Sequence, residues 1–370
     1  MSLSSYPISE PLQKIIDVVK TTDLQNELVQ GENFDYELVA HHKLDFFFGV
    51  DSTANPIRHK RRIDKLNTKT LFFKREILDF SAKLKELQIP SLVLKGVPLN
   101  ELLYGNNLKR RSLDIDFYVP EKEVKKADEL LISLGYYRDS PNYPLNNKQF
   151  EALVTNFDQF RYWHPQKKCC IELHWRLFDN PHLFNLDFEE IWNTKRAFKL
   201  NNTELYTLGS TYELIYLSLH GAHHQWDILL WMIDLKYYLN LLNETQIQEL
   251  ITIAKKHQLL DAVMLGFYIS EQLVNAKVPN SLKEHYSPKV KKMAAASLPF
   301  LEDNFEGKKA IKGLLIMQYK VSIAPTLKGK LFHLVFNYPL YQHQYQFLAT
   351  SNRFIQMIFR PITWLLKFKK

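Results

Sequence analysis

The chain has 370 residues, 46% of them hydrophobic, the content of a globular protein long enough for two or three domains. Only 11 glycines stand beside 24 phenylalanines and 19 tyrosines, which points to a helix-rich fold with a large aromatic core. The net charge of +8 sits in one place: residues 307–370 hold 11 Lys or Arg and no Asp or Glu, whereas the preceding 306 residues hold 37 basic and 40 acidic ones.

Neither a membrane span nor a signal peptide is expected. No apolar run approaches the roughly 18 residues of a membrane span. The N-terminus, MSLSSYPISEPLQK, has neither the basic nor the apolar region of a signal peptide. Cys169 and Cys170 are adjacent, so on a strand they point to opposite faces and a structural disulfide between them is not expected. The expected location is cytoplasmic, in a reducing compartment.

In chain order, residues 9–50 carry apolar positions at helical spacing (Leu12, Ile15, Ile16, Val19, then Leu28, Phe34, Leu38). Ile57–Gln88 predicts a long amphipathic helix or a pair, with Leu71, Phe72, Ile77, Leu78, Phe80 and Leu84 as its core-facing stripe. SLVLKG then predicts a short buried strand, and PLNELLYG a helix with Pro98 in its first turn. After an Asn-rich turn comes RRSLDIDFYV. Leu113, Ile115, Phe117 and Val119 alternate with Asp114, Asp116 and Tyr118, the period of a strand with one buried face. EKEVKKADELLISLG predicts an exposed helix closed by Gly135. FDQFRYWHP and CCIELHWRLF predict two strands, and KLNNTELYTL a hairpin around Asn201-Asn202. From Thr211 the period is helical to the end. The layout is an α+β centre with an all-α C-terminal domain, divided as residues 1–60, 61–209 and 210–370.

The chemistry-bearing residues begin with the D-x-D pair. Two carboxylates on one side of a strand, about 6–7 Å apart, repel unless something positive lies between them. A divalent metal would serve: magnesium takes hard oxygen ligands and pairs one or two carboxylates with substrate phosphates. Two such ions can clamp the attacking and leaving oxygens of a phosphoryl transfer. Glu172, sharing a strand face with Cys170, His174 and Arg176, offers a third carboxylate. The bland alternative is salt bridging of Asp114 and Asp116 with Arg110, Arg111 or Lys95 on a solvated sheet face.

The run LVLKGVPLNELLYGNNLKRRSLDIDFYV resembles the nucleotidyltransferase superfamily of DNA polymerase beta. More narrowly, its Lys-Gly turn and Arg-x-x-x-Asp-Ile-Asp strand resemble a bacterial group of uncharacterised nucleotidyltransferases. The ELHW strand and the later LHGAHHQWDILLWMIDL stretch look like further motifs of that group. The resemblance implies a polymerase-beta-like mixed sheet flanked by helices, and transfer of a nucleoside monophosphate from an NTP to a small-molecule or carbohydrate-like acceptor. It implies Asp114, Asp116 and Glu172 as catalytic residues binding Mg²⁺ or Mn²⁺, and Lys95, Gly96 and Arg110 at the triphosphate. Two departures stand out: no serine hydroxyl follows Gly96, and Leu113 occupies a position where a glycine is usual.

In LHGAHHQWDILLWMIDL, His220, His224, Asp227, Trp231 and Asp234 would share one face of a continuous helix. Alternatively Asp227 caps a new helix. His220 and His224 are expected at the nucleotide or acceptor, with a core role and a structural zinc site as other readings. Finally, SNRFIQMIFRPITWLLKFKK is a basic amphipathic helix, with Phe354, Ile355, Ile358, Ile362, Leu365 and Leu366 on one face and Pro361 as a kink or a new start. It would pack as a last helix, lie peripherally on an anionic membrane surface, or track polyanions; nucleic acid is not the expected partner. The rival to an enzyme is thus a non-enzymatic module that binds a membrane surface or polyanion through this tail.

Overall fold

The structure is a computed structural model describing residues 8–31, 33–105, 109–184, 186–302, 309–336, 342–350 and 352–367. The Asn-rich turn at 106–108 and the terminal Lys369 and Lys370 lie outside them.

In chain order the helices are α1 (Glu10–Thr21), α2 (Tyr36–His41), α3 (Pro56–Glu86), α4 (Gly96–Tyr104), α5 (Val124–Ser133), α6 (Asn147–Asn156), α7 (Phe188–Asn193) and α8 (Ser210–His223). They continue as α9 (Leu229–Leu239), α10 (Glu244–Lys256), α11 (Leu260–Val274), α12 (Asn280–Lys283), α13 (Pro288–Leu301), α14 (Lys309–Ile323), α15 (Leu327–Leu331) and α16 (Arg353–Lys367). The strands are β1 (Leu92–Leu94), β2 (Ile115–Tyr118), β3 (Tyr137–Ser140), β4 (Gln159–His164), β5 (Cys169–His174), β6 (Arg196–Leu200) and β7 (Thr203–Thr207). The α+β class is as expected.

The chain forms two compact units: Met1–Leu71, Leu99–Arg111 and Gly209–Pro325 make one, and Phe72–Pro98, Ser112–Leu208 and Thr326–Lys370 the other. These boundaries differ from three consecutive domains. The tail groups with the sheet, and the N-terminal helices group with the later helical region, because packing joins segments distant in sequence.

The sheet unit holds a five-stranded sheet of order β1-β2-β5-β4-β3, in which β2 and β5 are parallel and the other pairs antiparallel, plus the β6-β7 hairpin. Its alternating residues sort as period 2 requires: Ile115, Phe117, Ile171, Leu173, Phe160 and Tyr162 enter one core, into which α3 inserts Phe73, Ile77, Phe80 and Leu84. Phe80 meets Phe117 edge-on at 4.8 Å. Of the expected α3 stripe, Ile77, Phe80 and Leu84 lie in this core and Phe72 and Leu78 pack against it, whereas Leu71 is exposed and Phe73 takes the inward place instead. Likewise α5 is half-buried rather than exposed, setting Val124, Ala127 and Leu131 into the core.

In the helical unit, the α-helices among the described residues of 9–50 are α1 and α2; between and after them the chain is mostly irregular and joined by two single bridges, Val29 to Phe48 and Phe34 to Thr53. Helix α8 stops at His223, and α9 begins after Ile228, so neither a continuous helix nor an Asp227 cap forms. The cause is Trp226. Gln225 and Trp226 take left-handed backbone (φ 55° and 58°), which turns the indole back into the unit, where it is fully buried. It fills the space over Gly221 and Gly266, where an added Cβ would lie 2.5 and 2.8 Å from its ring.

Candidate active site

The parallel pairing of β2 with β5 sets Asp116 directly opposite Glu172, and the antiparallel pairing of β1 with β2 sets Leu94 opposite Asp116. Because Ile115, Phe117, Ile171 and Leu173 take the core face, Asp116, Glu172 and His174 emerge together on the other. His174 Nε2 lies 3.2 Å from Asp116 Oδ1 and 3.7 Å from Glu172 Oε2. Lys95, one residue past β1, brings Nζ to 3.2 Å from the same Asp116 oxygen.

Asp116 is only 1% exposed. Burial alone would raise its carboxyl, yet Lys95 and His174 outweigh it and hold the group down at about 2. For His174, burial works against the charge, but the hydrogen bond to Asp116 and the neighbouring Glu172 carboxylate push the imidazole up to about 9. The Asp116 carboxylate is thus held charged by the His174 imidazole and the Lys95 side chain, which in turn lean on it. The bland expectation of salt bridging is met for Lys95, though in a buried setting. Arg111 instead pairs with Asp45, at 2.9 Å.

Asp114 lies one residue before the first residue of β2 and is half-buried. The Ser112 hydroxyl donates to its carbonyl at 2.8 Å and approaches its Oδ1 at 3.3 Å. Among the described residues, the His, Cys, Asp and Glu side chains whose ligand atoms gather closely enough for a metal are Asp116, Glu172 and His174, all within 4.8 Å of one another. Asp114 is not in that group, nor are His220 and His224. The two carboxylates fit a divalent ion that takes oxygen ligands, while His174, whose imidazole they push up, donates to Asp116 rather than serving as a ligand.

Lys95 and Gly96 are both left-handed (φ 47° and 33°), and α4 starts at Gly96. A Cβ on Gly96 would sit 3.3 Å from the Ser112 hydroxyl, so the turn after β1 runs close to the segment before Asp114. Although no serine follows Gly96, Ser112 supplies a hydroxyl beside it. The first N–H groups of α4 make this turn a natural anion site, with Lys95 adjoining it.

Other residues on this face are accounted for. Burial raises the Cys170 thiol to about 11, with Arg161 Nε 3.2 Å from its sulfur, so it is no thiolate nucleophile. Arg176 donates to the carbonyls of Val154, Thr155 and Phe157 and pairs with Glu121, a structural cap. Tyr118 stacks on Phe188 at 5.6 Å. Asp158 has no sequence signature, yet burial and then Asp179 raise its carboxyl to about 6, where it feels both His174 and Glu172.

In the helical unit, the rings of His220, His224 and Trp231 meet one another at 4.8–5.6 Å despite the break between their helices, and Lys43 lies 5.5 Å over Trp231. Asp234 turns elsewhere, accepting from Arg110 Nε at 2.8 Å and from the Tyr104 hydroxyl at 3.0 Å. Arg110, expected at a phosphate, is buried in that ion pair.

A family model described as an uncharacterised nucleotidyltransferase matches residues 49–275. The chain is 28% identical over 120 residues to the epidermin biosynthesis protein EpiB of Staphylococcus epidermidis; the stretch is 32% of this chain and 12% of that protein's length. Among solved structures, the lincomycin-bound lincosamide antibiotic adenylyltransferase LnuA matches over 40% of this chain and 83% of its own, with 17% identity and a TM-score of 0.28.

Proposed function

The chain belongs to a family of uncharacterised nucleotidyltransferases, and on that premise we propose that it moves a nucleoside monophosphate from an NTP to the hydroxyl of a small-molecule or carbohydrate-like acceptor, releasing pyrophosphate. The observation that carries this reading is the register of β2 against β5, which sets Asp116 beside Glu172 on a face shared with Lys95 and His174. Asp114, Asp116 and Glu172 would hold Mg²⁺ or Mn²⁺, two ions in a two-metal arrangement. Such ions supply polarisation of the phosphoryl oxygens and neutralisation of the leaving pyrophosphate.

The chain's own groups do the remaining work. Gly96 lets the backbone come close to the triphosphate, and the first N–H groups of α4 with Lys95 hold its negative charge. Glu172, less buried than Asp116, accepts the proton of the attacking hydroxyl. His174 holds Asp116 and Glu172 in one orientation. A phosphate contact from Arg110 would require its guanidinium to leave Asp234, so Lys95 takes that role. His220 and His224 are assigned to nucleotide or acceptor binding, supported by their packing with Trp231 into one aromatic group.

The test is calorimetry with each of the four common NTPs in Mg²⁺ or Mn²⁺, on the wild type and on Asp114→Asn/Asp116→Asn. Saturable binding of an NTP, lost in the variant and lost on chelation, is the expected result. A folded wild type that takes up none of the four defeats the proposal.

A further inference from the structure

Helix α16 carries its polarity inside out. Phe354, Ile358, Ile362 and Leu365, at spacings of three and four, are 58, 53, 52 and 61% exposed. The opposite face is polar and buried: Gln356 and Thr363 are enclosed, Thr363 Oγ1 donates to the Arg360 carbonyl at 3.0 Å, and Gln344 Nε2 reaches that carbonyl at 3.3 Å. The helix runs unbroken through Pro361 rather than restarting there. An amphipathic helix ordinarily turns its apolar stripe to the core. Here the polar stripe anchors the helix and the apolar stripe is offered to whatever lies outside.

Charge selects the occupant. Residues 326–370 contain seven Lys or Arg and no acidic residue. The helical turn Phe332–Phe336 packs against both α15 and α16, and α15 adds exposed Leu327 and Lys328. A second copy would bring the same acid-free, positively charged segment against itself. An anionic bilayer answers both halves of the pattern, taking the apolar stripe at the acyl boundary and the basic groups at the headgroups. No helix among the described residues is long and apolar enough to cross a membrane, so the geometry is that of a helix lying in the interface.

We propose that α16 and the adjoining α15 form a docking surface for an anionic lipid bilayer, with Phe354, Ile358, Ile362 and Leu365 entering the interface. The contact is independent of the nucleotidyl transfer proposed above.

The experiment is co-sedimentation of the full chain, in chelator and without nucleotide, with phosphatidylcholine vesicles that either contain roughly a third phosphatidylglycerol or contain none. The wild type should pellet with the anionic vesicles at least about tenfold more tightly than with the neutral ones, and should be released by about 0.5 M salt. Ile358→Glu/Ile362→Glu should weaken binding about tenfold or more while leaving the thermal melt in place, since both side chains are already exposed. Lys328→Gln/Lys330→Gln should weaken it roughly tenfold without touching the apolar stripe. Failure of the wild type to pellet with anionic vesicles, equal binding to both vesicle types, or undiminished binding by the double glutamate variant would each overturn the proposal. A concentration-dependent dimer that ignores vesicles would reassign the stripe to a second copy.

Discussion

Asp116, a carboxylate, is 1% exposed, whereas Ile358, an aliphatic side chain, is 53% exposed. Each sits on the wrong side of the usual partition between core and solvent. The difference lies in what surrounds them. Asp116 is met by Lys95 and His174 at 3.2 Å, so the cost of burying its charge is offset within the fold. The stripe around Ile358 faces outward as a whole helix face, and its buried polar residues fix it in that orientation. On the readings proposed above, this compensated buried charge serves the protein's own chemistry and the exposed apolar stripe a partner's, whereas the equally buried Arg110–Asp234 and Arg111–Asp45 pairs hold the helical unit together. Displaced polarity is thus informative only together with what compensates it.

The strongest way to break the comparison is to remove the compensated charge. Asp116→Asn should lower nucleotidyl transfer by roughly a thousandfold or more, read as pyrophosphate release. It should also lower stability by about 3–5 kcal/mol in a denaturant melt, because Lys95 and His174 would be left without their anion.

The pH dependence of the metal-free protein is the next test. The folded pKa of Asp116 lies below its usual 3.8, so its contribution is complete above that value and is lost as pH falls towards 2. The folded pKa of His174 lies above 6.5, so its contribution is complete below 6.5 and is lost as pH rises through 9. Chelated protein should be most stable between about pH 4 and 6.5, and melts should show roughly 2–3 kcal/mol lost on either side. Since both shifts draw on one shared contact, the two limbs are not additive, and His174→Asn should flatten the alkaline one.

Smaller effects sharpen the contrast elsewhere. His224→Ala should raise KM for nucleotide or acceptor by about three- to tenfold with kcat nearly unchanged, if its ring contributes only binding. Ile358→Glu should shift the melt by no more than about 0.5 kcal/mol, the signature of a side chain whose partner is outside the fold.

Much of the sheet was legible because alternation is a local property. Leu113-to-Val119 and Cys169-to-His174 announce strands and faces, and the Asn201-Asn202 hairpin announces its own turn. What alternation cannot state is which strand lies beside which. Glu172 reads as a carboxylate on a strand, but its place opposite Asp116 comes from a parallel pairing that no local pattern encodes. His174 was legible as a neighbour of Glu172 and not as the group joining it to Asp116. Strand β3 and helix α6 carry patterns too weak to stand out, although Asn146 and Gln149 form a capping box in retrospect. The break after His224 rests on left-handed backbone at Gln225 and Trp226, two residues with no preference for it; the large Trp so near Gly221 was the one hint. For α16, the sequence shows that the helix has two faces but not which one turns inward.

The parallel neighbours β2 and β5 are separated in the chain by fifty residues, from Val119 to Lys168, which include β3, β4, α5 and α6. During synthesis the aspartate strand therefore leaves the ribosome long before Glu172 and His174 exist. Until then Asp116 has only Lys95, across the β1–β2 pair, to hold its charge. Closing so long a connection is among the slower steps a chain takes, since its entropy is surrendered before the pairing rewards it. The nascent chain thus lacks this paired-carboxylate face by construction, and Asp116 and Glu172 meet only after the chain between them has found its own fold.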